Sequence, residues 1–115
     1  LEFDNVMYTL HFYANTHKQW LRTRCESAIK SGLPVFISEF GTCDASGNGS
    51  VNYDESNAWK ELIEKYGISF MCWNLANNNE SSSIIVKSCY KASDWTDDEL
   101  TEQGKYMKAW FLDKK

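Results

Sequence analysis

Glu39 is the residue whose type and position most directly suggest chemistry. It stands in the apolar stretch Ile37-Ser38-Glu39-Phe40-Gly41, where a carboxylate is costly unless it is paired or faces an open cleft. Upstream, His11 and Tyr13 close a β-rich run, and downstream Trp73 and Asn74 follow another. A carboxylate flanked by an imidazole and a phenol from one neighbouring segment and an indole from the other can attack or stabilise a cationic sugar centre. Taken singly, His11, Tyr13 and Trp73 also suit ordinary strand-end packing. Their combination around one buried-context glutamate carries the chemical reading.

Three strand-helix units would position these groups. Val6-Met7-Tyr8-Thr9-Leu10-His11-Phe12-Tyr13 lacks polar alternation, as expected of a strand covered on both faces. Thr16 and Gln19 form a T-x-x-Q capping box, and Leu21, Cys25, Ala28 and Ile29 then recur at helical spacing until Gly32. In the second unit Pro34 precedes Val35-Phe36-Ile37-Ser38, and a loop of turn residues, Cys43 to Ser50, follows Gly41. Asp54 or Asn52 caps the next helix, whose Trp59, Leu62, Ile63 and Tyr66 share a face that ends at Gly67. The third unit is the strand Ile68–Trp73, a polar loop over residues 74–83, and a last helix capped by Thr96 with Glu99. Gly104 inside that helix costs up to about 1 kcal/mol relative to alanine.

Strands alternating with helices through right-handed crossovers give a parallel α/β sheet, doubly wound or closed as a barrel. Three strands are too few for either. A (β/α)₈ barrel takes about 250 residues, so the 115 residues here correspond to a partial TIM barrel of about three parallel βα units, roughly a half-barrel. Its open edges must be covered, and a homodimer or domain swap is the expected way to do so.

Composition narrows the partners. The hydrophobic share of 43% supports a packed core, and a net charge of -4 argues against binding nucleic acid or anionic lipid. No apolar run approaches the roughly 20 residues needed to cross a bilayer, so no membrane is expected. Aromatic residues at 15%, with five Trp, suit stacking on sugar rings and equally suit cores. Cys25, Cys43, Cys72 and Cys89 contain no C-x-x-C pair, so neither a metal site nor a redox centre is expected. Cys25 and Cys72 read as buried thiols, whereas Cys43 and Cys89 lie in loop-like surroundings and could form a disulfide.

Ser38-Glu39-Phe40-Gly41, preceded by His11-Phe12-Tyr13-Ala14 and followed by Trp73-Asn74-Leu75, resembles the last three strands of a glycoside hydrolase family 5 endoglucanase, a cellulase. The resemblance runs from about Asn5 to the terminal helix, so residues 1–115 would be the carboxyl-terminal subdomain of the catalytic barrel. It implies retaining hydrolysis of β-1,4-glucan or cello-oligosaccharides by a secreted enzyme without a cofactor. Glu39 takes the place of the nucleophile, Tyr13 hydrogen-bonds it, and His11 sits beside the sugar being cleaved. Trp73 stacks on a glucose ring with Asn74 next to it, and Glu80 matches a glutamate that contacts a glucose hydroxyl. Asn78 stands where the family has lysine, a departure that weakens the non-reducing-side subsites. The second carboxyl of a retaining glycosidase lies about 5 to 5.5 Å from the nucleophile, and the family takes it from an Asn-Glu-Pro motif. The one Asn-Glu pair here, Asn79-Glu80, is followed by Ser81. Without that acid, hydrolysis loses about 10²- to 10⁴-fold. The competing reading is a non-catalytic glucan-binding half-barrel in which Glu39 only accepts hydrogen bonds.

Overall fold

The computed structural model describes residues 3–113. Strand β1 (Tyr8–Tyr13), helix α1 (Gln19–Lys30), strand β2 (Val35–Gly41), helix α2 (Tyr53–Tyr66), strand β3 (Phe70–Cys72) and helix α3 (Glu102–Leu112) follow one another. A short 3₁₀ turn, Asp97–Glu99, precedes α3. The strands form one parallel sheet in the order β1-β2-β3, so all three carboxyl ends lie on one rim. β1 and β3 are the edges of this open sheet, as expected of part of a barrel.

The helices cover one face only. Phe12, Ile37 and Phe40 from the sheet pack with Cys25, Trp59, Ile63, Met107 and Trp110 from the helices. Phe12 stacks on Trp59 with ring centroids 3.8 Å apart and lies 5.0 Å from Phe40. The opposite face is open: Thr9 is exposed and His11 is half exposed. The apolar run of β1 is therefore not covered on both faces among the described residues. A strict two-residue period could not turn both Ile37 and Phe40 toward this core. A register shift resolves it: Leu10 pairs with Ile37, but the next residue, His11, pairs with Glu39. Ser38 is the extra residue of this bulge, and the shift puts Glu39 directly beside His11.

Several local expectations hold and others are redirected by tertiary contacts. Asn52 caps α2, its side chain accepting the Glu55 N–H at 3.1 Å, and Gly67 ends that helix with φ 60°. Thr16 does not cap α1. Its hydroxyl accepts the Ala45 N–H at 2.9 Å instead, tying the start of α1 to the loop after β2, and Lys18 takes the cap position. Thr96 and Glu99 do form a capping box, but around the 3₁₀ turn. Leu100 then returns to extended backbone and bridges Ile85, and α3 starts anew with Thr101 accepting the Gly104 N–H at 3.0 Å. All four cysteines are free, so the disulfide left open between Cys43 and Cys89 is not formed. Cys43 and Cys89 are each buried as thiols, and Cys72, beside the core, has its thiol pushed up to about 12 by burial. Among the described residues no three potential ligands cluster as a metal site, and no helix is long and apolar enough to cross a membrane.

Candidate active site

A continuous row of polar side chains runs along the open face of β1 and β2. Thr9 hydrogen-bonds Ser38 through their hydroxyls. The Ser38 hydroxyl meets His11 Nε2 at 2.8 Å, and His11 Nδ1 lies 3.6 Å from Glu39 Oε2. At the far end the Tyr13 hydroxyl donates to Glu39 Oε1 at 2.8 Å. The two carboxylate oxygens thus have different neighbours: a phenol fixes one, and an imidazole faces the other. The Glu39 side chain is 25% exposed, neither solvated freely nor sealed in the core.

Burial pushes the Tyr13 phenol well above its ordinary value of 10.0, and the Glu39 carboxylate raises it further by accepting its proton and by charge. Cys43 and Glu80 add smaller contributions of the same sign. Tyr13 therefore stays a proton donor across and beyond the neutral range. Gly41 makes room for it. A Cβ at Gly41 would lie 2.7 Å from the Tyr13 ring, so only glycine lets the ring lie flat against the end of β2.

A second cluster sits beyond β3. Trp73 and Asn74 are joined by a cis peptide bond, and Trp73 is 47% exposed, free to present a flat apolar surface. Asn74 Nδ2 and Asn78 Nδ2 donate to the same oxygen of Glu80, at 3.3 and 3.2 Å. Asn78, in the place of the family's lysine, thus orients Glu80 rather than supplying a cation. The loop after β2 closes over this group: Gly47 accepts the Ser82 N–H at 2.9 Å and lies against the Glu80 carboxylate.

The structure brings Glu39, Tyr13 and His11 into contact, joins Asn74, Asn78 and Glu80, and sets Trp73 at the end of the strand next to that of Glu39. Three participants escape a reading of the sequence. Thr9 and Ser38 pass for ordinary strand residues until the bulge aligns them with His11. Gln103 passes for a helix-surface residue, yet it is fully buried beneath the rim. Its Oε1 accepts from Thr42 N at 2.8 Å and Thr42 Oγ1 at 2.9 Å, and its Nε2 donates to the Trp73 and Ser82 carbonyls, each at 2.6 Å. The only available cue is its position beside Gly104, where a helix can approach another backbone closely.

Comparison with known proteins bears on the family and the fold. Residues 2–79 match the family model described as cellulase (glycosyl hydrolase family 5). Endoglucanase A of Butyrivibrio fibrisolvens is 46% identical over 108 residues, covering 93% of this chain and 25% of the relative. An endoglucanase of Clostridium saccharobutylicum is 40% identical over 108 residues, covering 94% of this chain and 24% of the relative. The solved structure of cellulase Cel5C_n superposes with a TM-score of 0.86 at 43% identity, over 95% of this chain and 33% of that one. The chain spans about a quarter of the length of these curated relatives. Because the family model matches residues 2–79, most of this chain, and the chain superposes on a solved cellulase, the chain belongs to glycosyl hydrolase family 5.

Proposed function

We propose that this chain supplies the nucleophile side of an endo-β-1,4-glucanase cleft, residues 1–115 forming the carboxyl-terminal subdomain of a family 5 catalytic barrel. The observation that carries the proposal is the Tyr13–Glu39 hydrogen bond on the open face, next to the exposed ring of Trp73. Tyr13 occupies Glu39 Oε1, which leaves Oε2 to attack the anomeric carbon. The bond from that carbon to the glycosidic oxygen breaks as the oxygen takes a proton from a second carboxyl, and water later opens the glycosyl ester. Trp73 stacks on a glucose ring, Glu80 held by Asn74 and Asn78 accepts from sugar hydroxyls, and His11 lines the cleft beside Glu39. The substrate is β-1,4-glucan or cello-oligosaccharides, and because the polymer is too large to enter a cell the enzyme acts outside it. At the open β1 and β3 edges, further strands come either from the rest of such a barrel or from a second copy of the chain.

The test uses a 2-deoxy-2-fluoro-β-cellobioside with a dinitrophenolate leaving group, which departs without a general acid. Expected is release of dinitrophenolate with one glycosyl group bound as an ester, found by peptide mass mapping on the peptide that contains Glu39. A label on any other carboxylate, or hydrolysis without a trapped ester, overturns the assignment.

Tyr13→Phe removes one hydrogen bond to a charged group, worth about 1.5–3 kcal/mol. The expected result is a fall in kcat of about 10- to 100-fold with little change in KM, measured on an aryl cellobioside. Because the phenol is held protonated past its ordinary 10.0, its ionisation does not set the alkaline limb of the rate profile. That limb therefore lies at the same pH in the parent and in Tyr13→Phe.

A further inference from the structure

The amide of Gln103 holds together the two strand ends that carry the proposed nucleophile and the sugar platform. Its capacity is fully used: both acceptor sites take protons from Thr42, and both donors serve the carbonyls of Trp73 and Ser82. Thr42 follows directly on β2, three residues after Glu39, and the Trp73 carbonyl belongs to the residue whose ring is exposed at the end of β3. The Ser82 carbonyl also accepts the Asn74 N–H at 2.8 Å, so the Trp73-Asn74 pair is gripped from both sides. No backbone hydrogen bond could replace this arrangement. The carbonyls of Trp73 and Ser82 both point at one site, and only a donor with two N–H groups and an adjoining acceptor matches them and Thr42 together. Complete burial removes water as a substitute.

We infer that Gln103 is a positioning residue that sets the placement of the Trp73 ring relative to Glu39, and with it the register of a glucan chain against the nucleophile. The inference rests on the glucanase reading above. Loss of the amide frees the end of β3 from that of β2, so the Trp73 ring no longer stays where it stacks on a glucose ring, and substrate binding weakens.

The experiment compares Gln103→Leu and Gln103→Glu, each alone and combined with Trp73→Ala, using cellotetraose hydrolysis by the whole protein. The carboxylate of Gln103→Glu still accepts from Thr42 but offers the two carbonyls no donor, so this variant keeps the shape of the side chain if the leucine variant does not fold. Expected is a rise in KM on the order of tenfold in the parent background, the scale of one lost hydrogen bond, and a change under about twofold once Trp73 is alanine. A merely structural role lowers the active fraction and so kcat, but leaves KM alone in both backgrounds. An unchanged KM, or an equal rise with and without the Trp73 ring, overturns the inference. If the parent does not turn over cellotetraose, the missing acid accounts for it, and the glucanase reading fails only if the fluorocellobioside ester on Glu39 also does not form. Crystal structures of the parent and Gln103→Glu then decide the positioning role: a displaced Trp73 backbone supports it, and a Trp73 that keeps its place beside Glu39 overturns it.

Discussion

Glu39→Gln lowers the release of reducing ends from soluble cellulose by on the order of 10⁴-fold or more, the scale seen when a covalent nucleophile is removed. The substitution is nearly isosteric. An amide oxygen at the same place still accepts the Tyr13 proton that Glu39 Oε1 accepts at 2.8 Å, so the fold and the glucan affinity stay close to those of the parent. What disappears is an anionic oxygen able to bond to the anomeric carbon. Equal rates for the parent and Glu39→Gln, with affinity retained in both, would establish the glucan-binding half-barrel in place of the enzyme. The role of the carboxylate is then resolved by Glu39→Ala in sodium azide with an activated aryl β-cellobioside. Azide entering the space left by a nucleophile attacks from the opposite side of the leaving group and gives the α-glycosyl azide, with one inversion. A β-glycosyl azide would instead identify Glu39 as the acid/base, because a nucleophile elsewhere would have inverted the centre first.

Much of this site is legible in the chain because the signals are local. Glu39 announces itself by being a charge within an apolar strand, and the parallel order of the strands follows from their alternation with helices, which places Tyr13, Glu39 and Trp73 on one rim. Asn52 and Gly67 are read correctly because a cap and a left-handed turn are decided within four residues. The failures all involve a competitor distant in sequence. Thr16 has the spacing of a cap, but the loop after β2 offers its hydroxyl a different donor. Thr96 and Glu99 make their box, yet Leu100 is drawn out to bridge Ile85, and the helix has to begin again at Thr101. Ser38 is polar and looks incidental until a register shift, invisible in one strand alone, lines it up with His11. Whether Cys43 and Cys89 pair is left open by the sequence, because a disulfide depends on where the fold brings two distant loops; both are free thiols buried in the fold.

Gly104→Ala gives the opposite result from the one that helix propensity predicts. By propensity alone, alanine in place of a glycine inside a helix stabilises by about 1 kcal/mol. In the structure, a Cβ at Gly104 would lie 2.2 Å from the Ile84 carbonyl oxygen, 3.1 Å from its carbon and 3.2 Å from Leu100 Cβ. A flexible side chain could swing away, but this obstacle is backbone, and it is held in place. The Ile84 oxygen accepts from Thr101 N at 3.0 Å and from Thr101 Oγ1 at 3.3 Å, and Ile84 N donates to the Asn74 carbonyl at 3.0 Å. Relief requires α3 to lift off the segment that follows the sugar-facing loop, which also pulls Gln103, the preceding residue, away from Trp73. Overpacking of this kind costs about 1–3 kcal/mol or more, which outweighs the propensity gain. The expected outcome is a melting temperature lower by about 10 °C, followed by circular dichroism, together with a raised KM on cellotetraose measured well below the transition. A variant as stable as the parent or more so would mean that α3 does not pack on Ile84 as closely as these distances require, and the route from α3 to the Trp73 carbonyl would lose its foundation.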